Sequence, residues 1–239
     1  MAVVDIHSHF FPQAWPDLAK RFGTPDWPWI RQLGDGKAMI MVGEREFRPI
    51  YAACWDADTR LAEMDRDGVE VQILCATPVL VHPWDMLGGA RTARHMMGWT
   101  VAMLAETQLS IVSMILGGAF DRLPRSLKIC FAHGGGSFAF LLGRLENAWH
   151  NRDVARGVSQ LPPSHYLDRF SVDSAVFDER ALRLLVDVMG RERVMLGSDY
   201  PFPLGELRVG RLVRESRSLS DAERSAILGD NATGFFGLP

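Results

Sequence analysis

Asp5, His7 and His9 occupy alternate positions of the apolar run VVDIHSHF near the start of the chain. Alternate residues of a β-strand share a face, so a strand here aims both imidazoles the same way. Two histidines converging in an apolar setting suit a divalent metal ion, although an H-x-H by itself also fits a hydrogen-bonded pair at a strand end. Three other stretches add to the set. VHPWD places His82 directly after an apolar run, with Pro83 ending regular strand pairing. FAHGGGS places His133 before three glycines, which free the backbone to turn tightly and to approach a ligand. LGSDYPFP ends a strand on Asp199, where Pro201 disfavours an immediate helix. Each has a plain structural alternative: a packed core histidine at 82, a turn histidine at 133, a helix N-cap at 199. Taken together, the imidazoles of His7, His9 and His82 and the carboxylate of Asp199 make a ligand set suited to zinc or a similar divalent ion, with one position left open. His133 is then available as a base beside the metal.

The elements that must hold these residues follow from the hydrophobic pattern. Short apolar runs alternate with helical patterns in βα order, which predicts an α/β fold with a largely parallel sheet. The runs are 3–9, VEVQILCAT, LKICFAH, FSVDSAV and VMLGSDYP. Between them the spacing predicts a helix capped by Asp56 or Asp58, with Leu61 and Met64 inward and Gly68 closing it. A second helix covers 105–116 with Leu109, Val112 and Leu116 at helical spacing, and a third runs from Asp178 through Leu182, Leu185 and Met189 to Gly190. A short terminal helix is expected within SDAERSAILGDNATGFF. Residues 11–51 break the pattern with Pro12, Pro16, Pro25 and Pro28 and a hairpin-like AMIMVGEREFRPI, and read as a small insertion covering one end of the core. Polar residues recur where the strands end: His7, His9, His82, His133, Asp173 and Asp199. That is the end at which α/β sheets and barrels gather their chemistry.

Composition narrows the classes. With 239 residues and 47% hydrophobic content the chain can bury one large core, and a net charge of −3 offers no basic footprint for nucleic acid or an anionic membrane. No run approaches the roughly 20 apolar residues of a membrane span, and the start lacks a secretory pattern, so a cytoplasmic protein acting on small molecules is expected. Cys54, Cys75 and Cys130 are widely spaced in apolar contexts and read as buried free thiols.

The stretches VDIHSHFFP, FRPIYAACWD, VQILCATPV, VHPWDMLGG, ICFAHGGGSFAFLLGRLENAW and MLGSDYPFPLGE, spread over nearly the whole chain, resemble the amidohydrolase-related decarboxylases. The resemblance implies a single domain over 1–239, a distorted metal-dependent-hydrolase-like (β/α)8 (TIM) barrel with a small insertion after its first strand. It implies zinc, Zn2+, or another divalent ion on His7, His9, His82 and Asp199, proton handling by His133, and a substrate carboxylate on Arg48. Trp99 and Phe202 would line the pocket, and Arg144 would serve the neighbouring subunit's site in a homodimer. Guanidinium forks at 48 and 144 make sense for a small dicarboxylate, which needs cations in fixed orientation. The implied activity is non-oxidative decarboxylation of an unsaturated dicarboxylate, in tryptophan or nitroaromatic catabolism, with no organic cofactor.

One departure matters. In the family about two further βα units separate the second strand from the VHPWD histidine, whereas here Val79 and Leu80 run straight into Val81 and His82. The expectation is a barrel lacking about two central units, with a junction near 79–82 and an exposed or rearranged sheet edge. The same ligands would also serve a metal hydrolase opening a lactone or amide, and an incomplete barrel fits a catalytically impaired paralogue acting as a dimer partner.

Overall fold

Val4–His9 forms the first strand, β1, and all six of its residues are buried. This computed structural model describes residues 2–11, 13, 17–75, 82–83 and 86–238. A strand buried on both faces needs a partner on each edge, and β1 has them. It pairs in parallel with β5 (Val71–Cys75) on one side. On the other, Ile6 N–H donates to the Leu196 carbonyl at 2.9 Å and His9 N–H to the Tyr200 carbonyl at 2.7 Å, along the segment that follows β8 (Val194–Met195). β8 pairs with β7 (Ser171–Asp173), and β7 with β6 (Cys130–Phe131), again in parallel. The spatial order is therefore β5, β1, β8, β7, β6.

Helices α2 (Ala57–Asp67), α3 (Met103–Leu116), α4 (Ala119–Arg122), α5 (Phe138–Asn151) and α6 (Glu179–Met189) connect these strands in the βα manner expected. Helices α7 (Arg211–Glu215), α8 (Asp221–Ser225) and α9 (Asn231–Phe236) finish the chain, the last two joined by a π-helical turn and started by a Ser220–Glu223 capping box. Phe170 sits at the hub of the core, with its ring centroid 5.4 to 5.7 Å from those of Phe131, Phe138 and Phe120. Among the described residues nothing pairs the outer edges of β5 and β6, so the parallel sheet is open where a complete barrel carries further strands. Leu74, on the β5 edge, is 49% exposed. The junction expected near 79–82 lies outside the described residues except for His82.

Several expectations need correction. Within residues 11–51 the expected hairpin is present as β3 (Lys37–Val42) and β4 (Arg45–Tyr51), but a further antiparallel strand, β2 (Pro28–Gly34), and the short helix α1 (Leu18–Phe22) precede it. The extra turn is Asp35-Gly36, with φ of 51° and 69°, the left-handed pair that a two-residue hairpin demands. In α2 Leu61 faces out and Arg60 faces in, because the guanidinium finds interior carbonyls to bond. Met64 lies half-buried against the core. In α3 the buried face is Met103, Thr107, Ile111 and Ile115, and Leu109 is exposed. The helix is apolar on nearly every side, so spacing alone could not choose its face. A π-helical turn, Gly98–Ala102, extends it to 19 continuous residues, long and apolar enough to cross a membrane by length and composition, although Ile111 and Ile115 sit in the main core. Cys54 is a buried free thiol, Cys130 is buried, and the Cys75 side chain lies outside the described residues.

Candidate metal centre and substrate pocket

β1 carries His7 and His9 to the end of the sheet, where the pleat turns both rings to one side. The His7 ring centroid lies 5.1 Å from that of His9, 5.5 Å from His82 and 5.1 Å from His133. His7, His82, His133 and Asp199 each offer a ligand atom, and these four atoms all lie within 4.8 Å of one another. His9 stands just outside that group, with its Nε2 3.2 Å from Asp199 Oδ1, against 3.4 Å for His7 Nε2. All five residues anticipated for the centre are thus brought together. The grouping differs from expectation in two respects: His133, expected beside the metal, stands within ligand reach, and His9, expected as a ligand, stands just outside the tightest group.

The donor set fits a divalent metal. His7 Nε2, His9 Nε2, both ring nitrogens of His133 and Asp199 Oδ1 are buried with no hydrogen-bond partner. Orphaned buried polar atoms cost about 1–3 kcal/mol each, and one ligand atom from each of four side chains within 4.8 Å of the others calls for a shared cation. Nitrogens with one carboxylate oxygen suit zinc, manganese or a similar ion.

Neighbouring groups set the tautomers. His7 Nδ1 lies 2.6 Å from Asp173 Oδ2, while Asp173 Oδ1 accepts from the N–H groups of Gly134 at 2.8 Å and Ala175 at 3.0 Å. The carboxylate keeps the proton on Nδ1 and leaves Nε2 as the ligand atom. Sequence inspection noted Asp173 at a strand end but gave it no role. His82 Nδ1 is 2.9 Å from the Pro83 carbonyl, which likewise turns Nε2 to the centre. Burial opposes charge on His7, but the Asp173 hydrogen bond and the charges of Asp173, Asp199 and Asp5 outweigh it and raise its pKa above 6.5. Burial, then the surrounding imidazoles, pushes His82 down to about 3 and His133 to about 4. Burial works against an ionised Asp199, yet the His9 ring beside it and the other nearby imidazoles hold its carboxyl below the usual range.

The glycines make this crowding feasible. His133 and Gly134 to Gly136 all have positive φ, and a Cβ on Gly136 would stand 2.1 Å from the Leu104 carbonyl oxygen. At Gly197 a Cβ would come within 2.9 Å of the His7 Cβ and 2.6 Å of the Asp173 Cβ, so only glycine lets that pair meet.

Beside the cluster, Arg48 of β4 has its guanidinium carbon 3.9 Å from the ring centroids of both Trp99 and Phe202. Burial lowers its pKa, with Asp199 acting in the opposite sense. A cavity of about 330 Å³ opens here, lined among others by Arg48, His82, Trp99, His133, Phe177 and Leu204. Arg144 is exposed on α5 and does not line this cavity.

Residues 42–238 match the amidohydrolase family. The chain is 32% identical over 329 aligned positions to the 2-amino-3-carboxymuconate-6-semialdehyde decarboxylase of Dictyostelium discoideum, covering 98% of this chain and 91% of the relative. Those 329 positions exceed the 239 residues present, so the relative carries residues with no counterpart here. The fold is similar to 5-carboxyvanillate decarboxylase LigW from Sphingomonas paucimobilis, with a TM-score of 0.78 at 18% identity over 100% of this chain and 99% of that one. A 5-carboxyvanillate decarboxylase from Novosphingobium aromaticivorans, complexed with manganese, matches 57% of this chain and 40% of its own at 27% identity and a TM-score of 0.50. The chain belongs to the amidohydrolase family, among relatives that are decarboxylases.

Proposed function

We propose that the chain is a metal-dependent non-oxidative decarboxylase of an unsaturated dicarboxylate, with 2-amino-3-carboxymuconate 6-semialdehyde as its substrate and zinc or another divalent transition ion as its metal. The observation that carries this reading is Arg48, clamped between Trp99 and Phe202 at the edge of the imidazole cluster. A guanidinium packed against two aromatic rings is a ready partner for a carboxylate attached to a planar conjugated body.

His7, His9, His82 and Asp199, with His133 alongside, would hold the ion, which when bound supplies Lewis-acid polarisation to a substrate oxygen. Arg48 fixes the carboxylate and Trp99 bounds the conjugated plane, so that the C–CO2 bond to be broken stands across the π system. Cleavage sends the bonding pair into that system and releases CO2. The carbon that lost CO2 must then gain a proton from solvent, and His133, lining the pocket with both ring nitrogens unpaired, is placed to relay it, one nitrogen taking up a solvent proton as the other gives its own to the carbon. The second carboxylate needs another cation. Arg144, exposed on α5, supports a homodimer in which each chain serves its neighbour's pocket.

The test is CO2 release from the muconate substrate by protein reconstituted with Zn2+ or Mn2+. Release that disappears with chelation and falls sharply in His133→Ala supports the proposal. Full activity after exhaustive metal removal, or lactone opening without CO2, would overturn it.

A further inference from the structure

Beneath the metal cluster lies a second group of buried polar side chains that does not line the cavity. Asp5 is fully buried. Its Oδ1 accepts from the N–H groups of His7 at 3.1 Å and Ser198 at 3.2 Å, and its Oδ2 from the Ser198 hydroxyl at 2.6 Å and the Gln72 amide nitrogen at 3.1 Å. That hydroxyl accepts in turn from the Tyr200 N–H at 3.1 Å. At its other end the Gln72 amide oxygen accepts from Arg60 Nη1 at 2.8 Å. Arg60, itself buried, also donates from Nε to the Ala53 carbonyl at 3.1 Å and from Nη2 to the carbonyl of His9. The chain of bonds therefore touches the backbone of His7, of His9, and of the residue on either side of Asp199.

We propose that Arg60, Gln72 and Asp5 form a directional positioning network that sets the spacing between the His7–His9 strand and Asp199, and through it the affinity of the centre for its ion. Direction follows from chemistry. The two Asp5 oxygens already accept four hydrogen bonds and Arg60 only donates, so the amide between them has one satisfied orientation, oxygen toward Arg60 and nitrogen toward Asp5. Reversing it sets donor against donor at one end and acceptor against acceptor at the other. In a buried site that mismatch is relieved by movement, and what moves is the pair of segments carrying the ligands. Supporting partners of this kind typically govern about 10- to 100-fold in metal affinity. The inference rests on the metal-holding part of the proposed function and not on decarboxylation, and binding rather than turnover is read, so the two fail separately.

Four variants of the full chain test it: Asp5→Asn, Gln72→Glu, the double variant carrying both, and Arg60→Lys. D5N turns an amide N–H toward the Gln72 nitrogen, and Q72E sets a carboxylate against Asp5. The double variant restores the order, since the amide introduced at position 5 can donate to the carboxylate introduced at position 72, which also accepts from Arg60. R60K keeps the charge but loses the fork that reaches three acceptors. Mn2+ affinity by calorimetry and the ligand-field spectrum of the Co2+ form are read together with the urea midpoint of the metal-free protein. The expected result is about 10- to 100-fold weaker Mn2+ binding in each single variant. The double variant should recover most of the affinity and the parental Co2+ spectrum. Parental affinity in D5N, or a double variant that loses the sum of the two single effects, overturns the network. Should the single variants fail to fold, the double variant decides alone, with near-parental binding in favour and lost binding against.

Discussion

The two sides of the metal cluster are built differently. His7 and Asp199 belong to adjoining segments of the parallel sheet, are buried, and answer to Asp173, Asp5 and Ser198 through a dense set of hydrogen bonds. His133 is fixed by a run of left-handed glycines that tolerates no side chain at Gly136. His82 has none of this support among the described residues. It stands outside any strand, is half-buried, and its Nδ1 bonds the carbonyl of the adjacent Pro83. The contrast teaches that ligands sharing one centre can be aimed with unequal precision. That precision comes from the surrounding shell more than from the ligand's identity.

The comparison is broken most directly by removing one ligand from each side. His7→Ala should reduce Mn2+ or Zn2+ affinity by at least about 100-fold, while His82→Ala should cost nearer to about 10-fold, no more than the loss of a supporting partner on the well-braced side. Equal losses, measured by competition with a chelating dye, would show His82 to be as firmly held as His7. Next in size is Asp173→Asn, which takes away the acceptor that keeps the His7 proton on Nδ1. A fall of about 10- to 100-fold in affinity is expected, with little change in the urea midpoint.

A pH experiment sharpens the same contrast. In the metal-free chain His7 titrates above 6.5, whereas His82 and His133 titrate at about 3 and about 4. An ion must displace the proton from His7 but finds the other two already neutral. Affinity therefore falls as pH is lowered through the raised His7 value, and His82 and His133 add no proton competition until near pH 4. Calorimetry near neutral pH in buffers of different ionisation heat should record proton release on binding, and D173N should reduce that release. The smallest effect expected is at the pocket. Trp99→Leu removes one face of the Arg48 sandwich, worth about 0.5–2 kcal/mol, and should raise KM several-fold with metal content unchanged.

Much of this was legible in the chain itself. His7 and His9 could be paired because strand alternation puts both on one face, His133 stood out before glycines that free the backbone, and Asp199 stood out at a strand end ahead of Pro201. What escaped reading was whatever depends on a partner far along the chain. Asp173 takes its role from His7, and Arg60 from carbonyls at Ala53 and His9. Leu61 and Leu109 were placed inward by local spacing, but tertiary packing chose the neighbouring faces of those helices. The strand β2 hid behind Pro28 and two tryptophans, although Asp35-Gly36 announced its turn. LKICFAH and VMLGSDYP promised long strands and yielded strands of two residues each, although Leu196 and Tyr200 beyond β8 still accept from the β1 backbone.

The antiparallel sheet β2–β4 stands apart from the five parallel strands, yet it supplies Arg48. Under the proposed function, choosing which acid is admitted and holding the ion fall to separate pieces of architecture. Substitutions on the inserted hairpins can retune substrate preference while leaving the catalytic ion's cage untouched, a modularity that a directed-evolution library confined to residues 28–51 would exploit.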